Sequence, residues 1–559
     1  MADADGKPIV KIIYKKVKKA RERIERFVDK IFGQKISPLA WALGFLSIIG
    51  LRMFVEFFVA SEALTFQEIV IEYIHNFFFF ILAFGVIWLI LSLFLQENPA
   101  KLAVTMIWAS WLIVLPPLLD IIRTKGLVYW SFYAISDSEL IWSQFITFFG
   151  HLPSGIVYFG TKITFVSAII LSGLLVLVRS KSVIKAVLSS FCVYVVLFFL
   201  GSFPSFFAFT YYFFEGSKKI SEVTIPGIMQ LIGTPVPLFG TEFKNLPYTL
   251  AYHLDFVYYL GLVGLLGLLF FFMDKNKFLA VIRNIRPPQI VYHTGLFFIG
   301  LGLGILAYPK NFHVNIFSVL AAMVLIVAIW LAWKASVVVN DIYDFGIDQI
   351  SNPDRPLQKK IFTVREYAEI GMIFFPLSVL GGLVINSKFA ALFFVYQIIA
   401  WVYSAPPFRL KKIPIIATFF SAVASLLILF IGFTLVSGDA HIHGLSWRIT
   451  VLVLAALTLS LPIKDFKDIA GDEKYGILTL PVIFGEEKGK LLVAVGVFAS
   501  FMLSIFLLNE FRLFWWAVLF GGISYLIVTS RKINPRNLFW WVLASVSAYG
   551  LILVKIVFA

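Results

Sequence analysis

Three aspartates within eight residues, Asp341, Asp344 and Asp348, lie in the stretch VVVNDIYDFGIDQISNPDRP (residues 337–356), directly after an apolar run long enough to cross a membrane. A carboxylate in a bilayer costs several kcal/mol unless it faces a polar cavity, a partner or a metal. A second acidic stretch, LPIKDFKDIAGDEKYGILTLP (residues 461–481), carries Asp465, Asp468 and Asp472. On a helix advancing about 100° per residue, these three fall within roughly 60° of one another, and Asn340, Asp341, Asp344 and Asp348 within roughly 100°. Each stretch therefore presents one acidic stripe. Carboxylates gathered in this way repel unless cations neutralise them, and an oxygen-only donor set favours Mg²⁺ over Zn²⁺. Mg²⁺ takes one or two carboxylates and completes its shell with water and phosphate oxygens, so the guest expected here is a diphosphate.

A diphosphate also needs cationic side chains. Between the two stripes lies YSAPPFRLKK (residues 403–412), where two prolines end a span and set Tyr403, Arg409, Lys411 and Lys412 at the membrane surface. Arg355 in NPDRP and Lys464 and Lys467 around the second stripe add further charge. These basic residues also serve membrane orientation, but orientation alone leaves the adjoining carboxylates unexplained.

The elements that must hold these residues are membrane helices. The chain has 559 residues, of which 60% are hydrophobic and only 14% charged, and a mean hydropathy of +0.91; this is an all-α polytopic membrane protein. The net charge of +15 does not point to nucleic acid, because the basic residues lie in short clusters between apolar runs. The single cysteine, Cys192, excludes an internal disulfide and a cysteine-built metal site. About fifteen apolar runs have spanning length. Six lie near 37–60, 69–95, 101–121, 155–178, 184–213 and 248–273, and nine near 288–308, 315–339, 366–385, 389–404, 414–436, 446–463, 491–508, 513–530 and 538–558.

Residues 1–36 hold eleven lysines and arginines and read as a basic amphipathic segment on the inner leaflet or as a solvated arm that enforces orientation. The first apolar run begins only after this segment, which does not fit a cleavable signal peptide. Alternate connections are then basic, as at Arg179, Lys181 and Lys185 or Arg409, Lys411 and Lys412. This pattern predicts a protein of the cytoplasmic membrane with its amino terminus and both acidic stripes on the cytoplasmic side.

NDIYDFGIDQISNPDRP, YSAPPFRLKK and KDFKDIAGDEKYGILTLPVIFG, in this order, resemble the three signatures of the UbiA superfamily of intramembrane prenyltransferases, and RNIRPPQIVYHTGLFF resembles the family's opening. The resemblance covers about residues 281–559 and implies a nine-helix bundle with caps that hold a prenyl diphosphate. It implies that Asn340, Asp344, Asp348, Asp465, Asp468 and Asp472 hold Mg²⁺, with Asp341 in the same stripe. Arg355, Tyr403 and Arg409 would touch the diphosphate, joined by Lys411, Lys412 and Lys467, while Asp344, Asp348, Asp468 and Asp472 would carry the catalytic role. Family members often continue RPIPSG where this chain has RPLQKKIFT. The implied reaction is Mg²⁺-dependent transfer of a prenyl group from an allylic diphosphate to an aromatic, quinone-precursor or lipid acceptor within the membrane. Cyclisation of the prenyl chain on the same scaffold, or a transporter or lipid carrier with acidic ion sites, are the alternatives. His293 either orients the acceptor or bonds to a neighbouring helix.

The remaining stretch, residues 37–280, is a membrane domain of about six helices without a copy of the aspartate motifs. Arg52 and Glu56 stand four apart, Glu72 and His75 three apart, and Asp255 alone. They either line an acceptor or transport site or form structural pairs between helices. His441 and His443 lie in an external connection with too few ligands nearby for a metal.

Overall fold

A backbone in lipid must satisfy its own N–H and C=O groups, which limits long apolar runs to helices or closed barrels. The computed structural model describes residues 19, 22, 23, 25–59, 65–124, 133–150, 159–236, 238, 249–437 and 442–558; His441 lies outside them. Among the described residues there is no β-strand, and fifteen helices are long and apolar enough to cross a membrane. In chain order these are α1 (Pro38–Glu56), α2 (Glu68–Leu95), α3 (Pro99–Arg123), α4 (Phe159–Ser180), α5 (Val183–Gly201) and α6 (Thr249–Met273). There follow α7 (Pro287–Ala307), α8 (Ile316–Tyr343), α9 (Val364–Ile385), α10 (Ser387–Ser404) and α11 (Ile416–Thr434), then α12 (Trp447–Lys467), α13 (Glu486–Leu508), α14 (Phe511–Thr529) and α15 (Pro535–Val557).

The fifth run differs from its expected length. The apolar pattern extends to residue 213, but α5 stops at Gly201 and a separate helix, Phe203–Glu215, follows. Pro204 has no N–H to offer the carbonyl of Leu200 and its ring crowds that turn. The carbonyl of Gly201, released by the break, accepts the N–H of Ala134 at 2.8 Å.

The chain divides into two compact units, Met1–Pro235 with Asn245–Lys275, and Val236–Lys244 with Asn276–Ala559. In the first, α2 packs on α5 and α6, α4 on α5, and α1 on the middle of α3. Residues 25–31 are helical and dock on the α4–α5 turn: Arg179 bonds Asp29 at 2.7 Å and lies 4.0 Å over the Phe32 ring, and Lys181 bonds Glu25. In the second unit α7 to α15 pack in sequence order, and α15 returns to α7, so the nine helices close a ring. Glycines allow the tightest crossing, between α7 and α11. A Cβ on Gly300 would stand 2.0 Å from the carbonyl oxygen of Leu429, and one on Gly432 2.0 Å from that of Phe297. Such close approach of small residues is how helices gain packing energy where lipid supplies no hydrophobic drive.

Candidate active site

The two acidic stripes are built alike, and neither is a single helical face. α8 ends at Tyr343, Asp344 caps it with φ −100° and ψ 14°, and a separate helix, Phe345–Ser351, begins. α12 tightens to a 3₁₀ turn over Leu461–Lys467, Asp468 sits at the junction with φ −113° and ψ 4°, and the helix Ile469–Lys474 follows. In each, the junction aspartate's carbonyl accepts the N–H of the aspartate four residues on, Asp348 and Asp472 respectively, at 2.9 Å. The triads 341/344/348 and 465/468/472 therefore share both spacing and local backbone.

The short helices pack against each other. Gly471 makes this possible, since a Cβ there would meet Ser351 Oγ at 2.4 Å. One amide joins the motifs: Asn352 Nδ2 donates to Asp348 Oδ1 and to Asp468 Oδ1, each at 3.0 Å. Carboxylates 120 residues apart in sequence thus share one donor.

The cations surround the first motif. Arg409 Nη2 donates to the Tyr343 carbonyl at 2.9 Å and to Asp344 Oδ1 at 3.3 Å, and Lys411 pairs with the same carboxylate. Asn340 Nδ2 donates to Asp344 Oδ2 at 2.7 Å. Arg355 pairs with Asp348 and reaches Asp341 Oδ1 at 3.1 Å. Asp341 is fully buried and has both oxygens engaged, by Arg286 and Arg355 on one and by Asn284 (2.7 Å) and Tyr367 (3.0 Å) on the other. Lys334 Nζ in turn donates to the carbonyls of Val281 and Asn284, which fixes the loop bearing Arg286. None of Asn284, Arg286, Asn352 and Tyr367 is singled out by the sequence; the first two lie in the RNIRPP stretch and Asn352 in NPDRP, while nothing marks Tyr367.

Around the second motif the charge is less balanced. Lys467 approaches Asp468 only to 3.7 Å, and Lys464 turns to Tyr403, donating to its hydroxyl at 3.2 Å. Lys412 is exposed. Burial, with Asp468 and Asp465 adding repulsion, pushes the Asp472 carboxyl up to about 7. Burial likewise pushes Asp348 up to about 6 against the pull of Arg355, and Lys411 down to about 8 against the pull of Asp472 and Asp468.

Among the described residues no three carboxylate or imidazole groups are gathered tightly enough to form a metal cage. The reason is visible at the first motif, where guanidinium and ammonium groups hold the aspartates. The donor set nevertheless suits Mg²⁺: it is oxygen only, it is buried at Asp344, Asp348 and Asp472 and half-buried at Asn340, Asp465 and Asp468, and its second half has few direct cation partners. His293 lies deeper in the bundle and is buried. Its Nδ1 donates to the Gln289 carbonyl at 2.6 Å, Tyr396 OH donates to its Nε2 at 3.3 Å, and its ring lies 5.0 Å from that of Trp333.

Comparison with known proteins bears on this geometry. Residues 295–551, which contain both aspartate motifs and the Tyr403–Lys412 arm, match the model of the UbiA prenyltransferase family. A digeranylgeranylglyceryl phosphate synthase of Natronomonas pharaonis is 29% identical over 245 residues, covering 43% of this chain and 81% of that protein. A chloroplastic chlorophyll synthase of Avena sativa is 30% identical over 201 residues, covering 33% of this chain; the match spans half the length of that relative. A UbiA homologue of Archaeoglobus fulgidus, solved with DMAPP and Mg²⁺, aligns over 49% of this chain and 99% of its own with a TM-score of 0.39 and 21% identity. Residues 295–551, just under half of this chain, belong to the UbiA prenyltransferase family.

Proposed function

We propose that the second unit transfers a prenyl group from an allylic prenyl diphosphate to a lipid-soluble or aromatic acceptor inside the membrane, with Mg²⁺ held by the two aspartate motifs. The observation that carries this reading is the Asn352 bridge, which draws both motifs to one end of the bundle beside Arg355, Arg409 and Lys411. Asp344, Asp348, Asp468 and Asp472, with Asn340 and Asp465, are the oxygen donors suited to the metal. Asp341, the fully buried member, is held by Asn284 and Tyr367 as well as by Arg286 and Arg355, and it positions those two arginines. Mg²⁺ bound there would neutralise charge building on the diphosphate as the allylic carbon–oxygen bond breaks.

The chain's own cations do the complementary work. Arg355, Arg409 and Lys411, paired with aspartates in this structure, would exchange those partners for diphosphate oxygens. Lys464 holds Tyr403 toward the same region, and Lys467 adds positive potential. The apolar interior shelters the isoprenoid chain, and His293 is the buried polar group available to orient an acceptor. The relatives named above make a prenylated glycerol phosphate and a chlorophyll, which supports a membrane-soluble acceptor here. The alternation of basic connections supports a reading in which this end of the bundle and the amino terminus face the cytoplasmic side of a cytoplasmic membrane. Residues 37–280 form a separate membrane domain, and residues from about 281 onward hold the whole reaction.

The test is direct. Purified full-length protein, a radiolabelled allylic prenyl diphosphate, Mg²⁺ and a membrane lipid extract should give a labelled, extract-dependent product that disappears with chelator. Release of diphosphate with a labelled hydrocarbon and no dependence on extract would instead mean cyclisation or hydrolysis.

A further inference from the structure

The first unit holds a second set of buried ionisable side chains that prenyl transfer does not use. Arg52 and Glu56 pair along α1, and Arg52 also donates to the Ile113 carbonyl at 3.2 Å. Glu72, His75 and Asn76 lie on α2, Asp120 near the end of α3, and Asp255 and Tyr258 on α6; every one is at most 8% exposed. The charged groups acting on Glu72 are Glu56, His75, Arg52 and Asp255, and those acting on Glu56 are Arg52 and Asp120. Four carboxylates therefore share two permanent cations, Arg52 and, at Asp120, Arg123, in a region where unpaired charge is costly.

Two oxygens in this cluster lack a donor. Glu56 Oε2 and Asn76 Oδ1 are buried without a hydrogen-bond partner, while the Asn76 amide is already spent on the Glu72 carbonyl (3.0 Å) and carboxylate (3.4 Å). Arg52 Nε is buried there without a hydrogen bond to either oxygen, so what these oxygens lack is a donor small enough to sit on them where the guanidinium is not directed. No three carboxylate or imidazole groups here can hold a metal among the described residues. A proton meets all these conditions.

Beside the two glutamates runs a bonded chain able to move protons. Asp255 Oδ1 lies 2.6 Å from His75 Nδ1, His75 Nε2 2.7 Å from Tyr133 OH, and Tyr133 OH 2.8 Å from Tyr258 OH. An ionised Asp255 can only accept, so His75 donates from Nδ1. Its Nε2 then accepts from Tyr133, which in turn accepts from Tyr258. Proton movement along the row passes the Nδ1 proton of His75 to Asp255, the Tyr133 proton to Nε2 and the Tyr258 proton to Tyr133, and a proton entering at Tyr258 restores its hydroxyl, leaving every hydrogen bond reversed. Tyr133 is fixed in place from the helix break, through Ala134 N–H on the Gly201 carbonyl and Ser136 N–H on Ser205 Oγ (3.0 Å).

We propose that the first unit is a proton-binding membrane domain, in which Glu56 and Glu72 hold bound protons beside the Asp255–His75–Tyr133–Tyr258 relay. Glu56 and Glu72 are the buried glutamates among the described residues, whereas the buried carboxylates of the prenyl site are aspartates. Infrared spectroscopy of full-length protein grown with ¹³C-glutamate should therefore show a protonated-carboxyl band at neutral pH that shifts with the label and on exchange into D₂O. Glu72→Gln or Glu56→Gln should remove part of that band. Its absence in the parent, or its persistence in full in both variants, overturns the proposal. If neither variant folds, the labelled parent alone decides. Thermal stabilisation by sodium over choline with no protonated-glutamate band would also overturn it, since the ligand would then be a metal cation.

Discussion

In the first aspartate motif of the second unit every carboxylate meets a cation: Asp341 meets Arg286 and Arg355, Asp344 meets Arg409 and Lys411, and Asp348 meets Arg355. In the second, Asp465 and Asp472 have no ion pair among the described residues, and Asp468 has Lys467 at 3.7 Å and an amide shared with Asp348. The backbones are near copies, with the same spacing, the same junction and the same 2.9 Å return bond. What differs is the electrostatic state in which one fold leaves two equal triads. The first is neutralised by the cations suited to grip a diphosphate. The second has few direct pairs and meets Lys411 only through space. On the proposed function, metal binding at the second motif and release of Arg355, Arg409 and Lys411 at the first would be two halves of one exchange of partners.

The harshest probe is charge removal at the junctions. Asp344→Asn or Asp468→Asn should lower turnover by a factor of about a hundred or more, a few kcal/mol of transition-state electrostatics. Normal turnover with normal Mg²⁺ dependence in either variant would remove the aspartates from the chemistry altogether.

Stability without metal should separate the two motifs. Asp344→Asn leaves the buried Lys411 without its ionised partner and should cost on the order of 2 kcal/mol in chelator. Asp472→Asn relieves repulsion from Asp465 and Asp468, so it should be neutral or stabilising by less than about 1 kcal/mol. Denaturation of the two variants in lipid or mild detergent measures the difference, and equal effects would mean that the ion pairs of the first motif carry no weight.

A smaller effect is expected from pH. Asp472 is raised from its ordinary 3.8 to about 7 by burial and by its acidic neighbours. Between those values the folded chain keeps a proton that the unfolded chain has released, so stability in chelator falls as pH rises from about 4 to about 7 and then levels off. Mg²⁺ must displace that proton, so its apparent affinity rises with pH up to about 7 and flattens above. Calorimetric titration of Mg²⁺ across that range checks the sign. An affinity already flat below pH 6 would place the metal elsewhere.

Much of this was legible in the sequence. Spanning helices follow from the length of apolar runs, and both triads, with the Tyr403–Lys412 arm, stand out because carboxylates and prolines are rare in such runs. Partnership across the fold was not legible. Asp341 reads like its neighbours, and only Asn284, Arg286 and Tyr367, brought in from two other helical segments, fix it in a structural role. His75 sits one helical turn from Glu72 yet bonds Asp255, 180 residues away. The break after Gly201 was masked by the aromatic run around Pro204. Both stripes were drawn as continuous helical faces because the turn at each junction depends on contacts between the caps.

The mildest probe lies between two adjacent lysines that the sequence treats as equals. Lys411 is 7% exposed and pairs with Asp344, while Lys412 is exposed and makes no ion pair among the described residues. An ammonium in open water is screened within about 8 Å at physiological ionic strength and gains little from a charge it does not touch. Lys412→Ala should therefore change KM for an allylic prenyl diphosphate by less than about twofold at that salt, and the change should fade as salt rises. Lys411→Ala should raise it by about tenfold or more, because it removes a desolvated charge aimed at the site. If Lys412→Ala instead matches Lys411→Ala, the 403–412 arm must fold inward over the diphosphate on binding. The cations of the second motif would then be supplied by the arm in the substrate-bound state, which would even out the two triads.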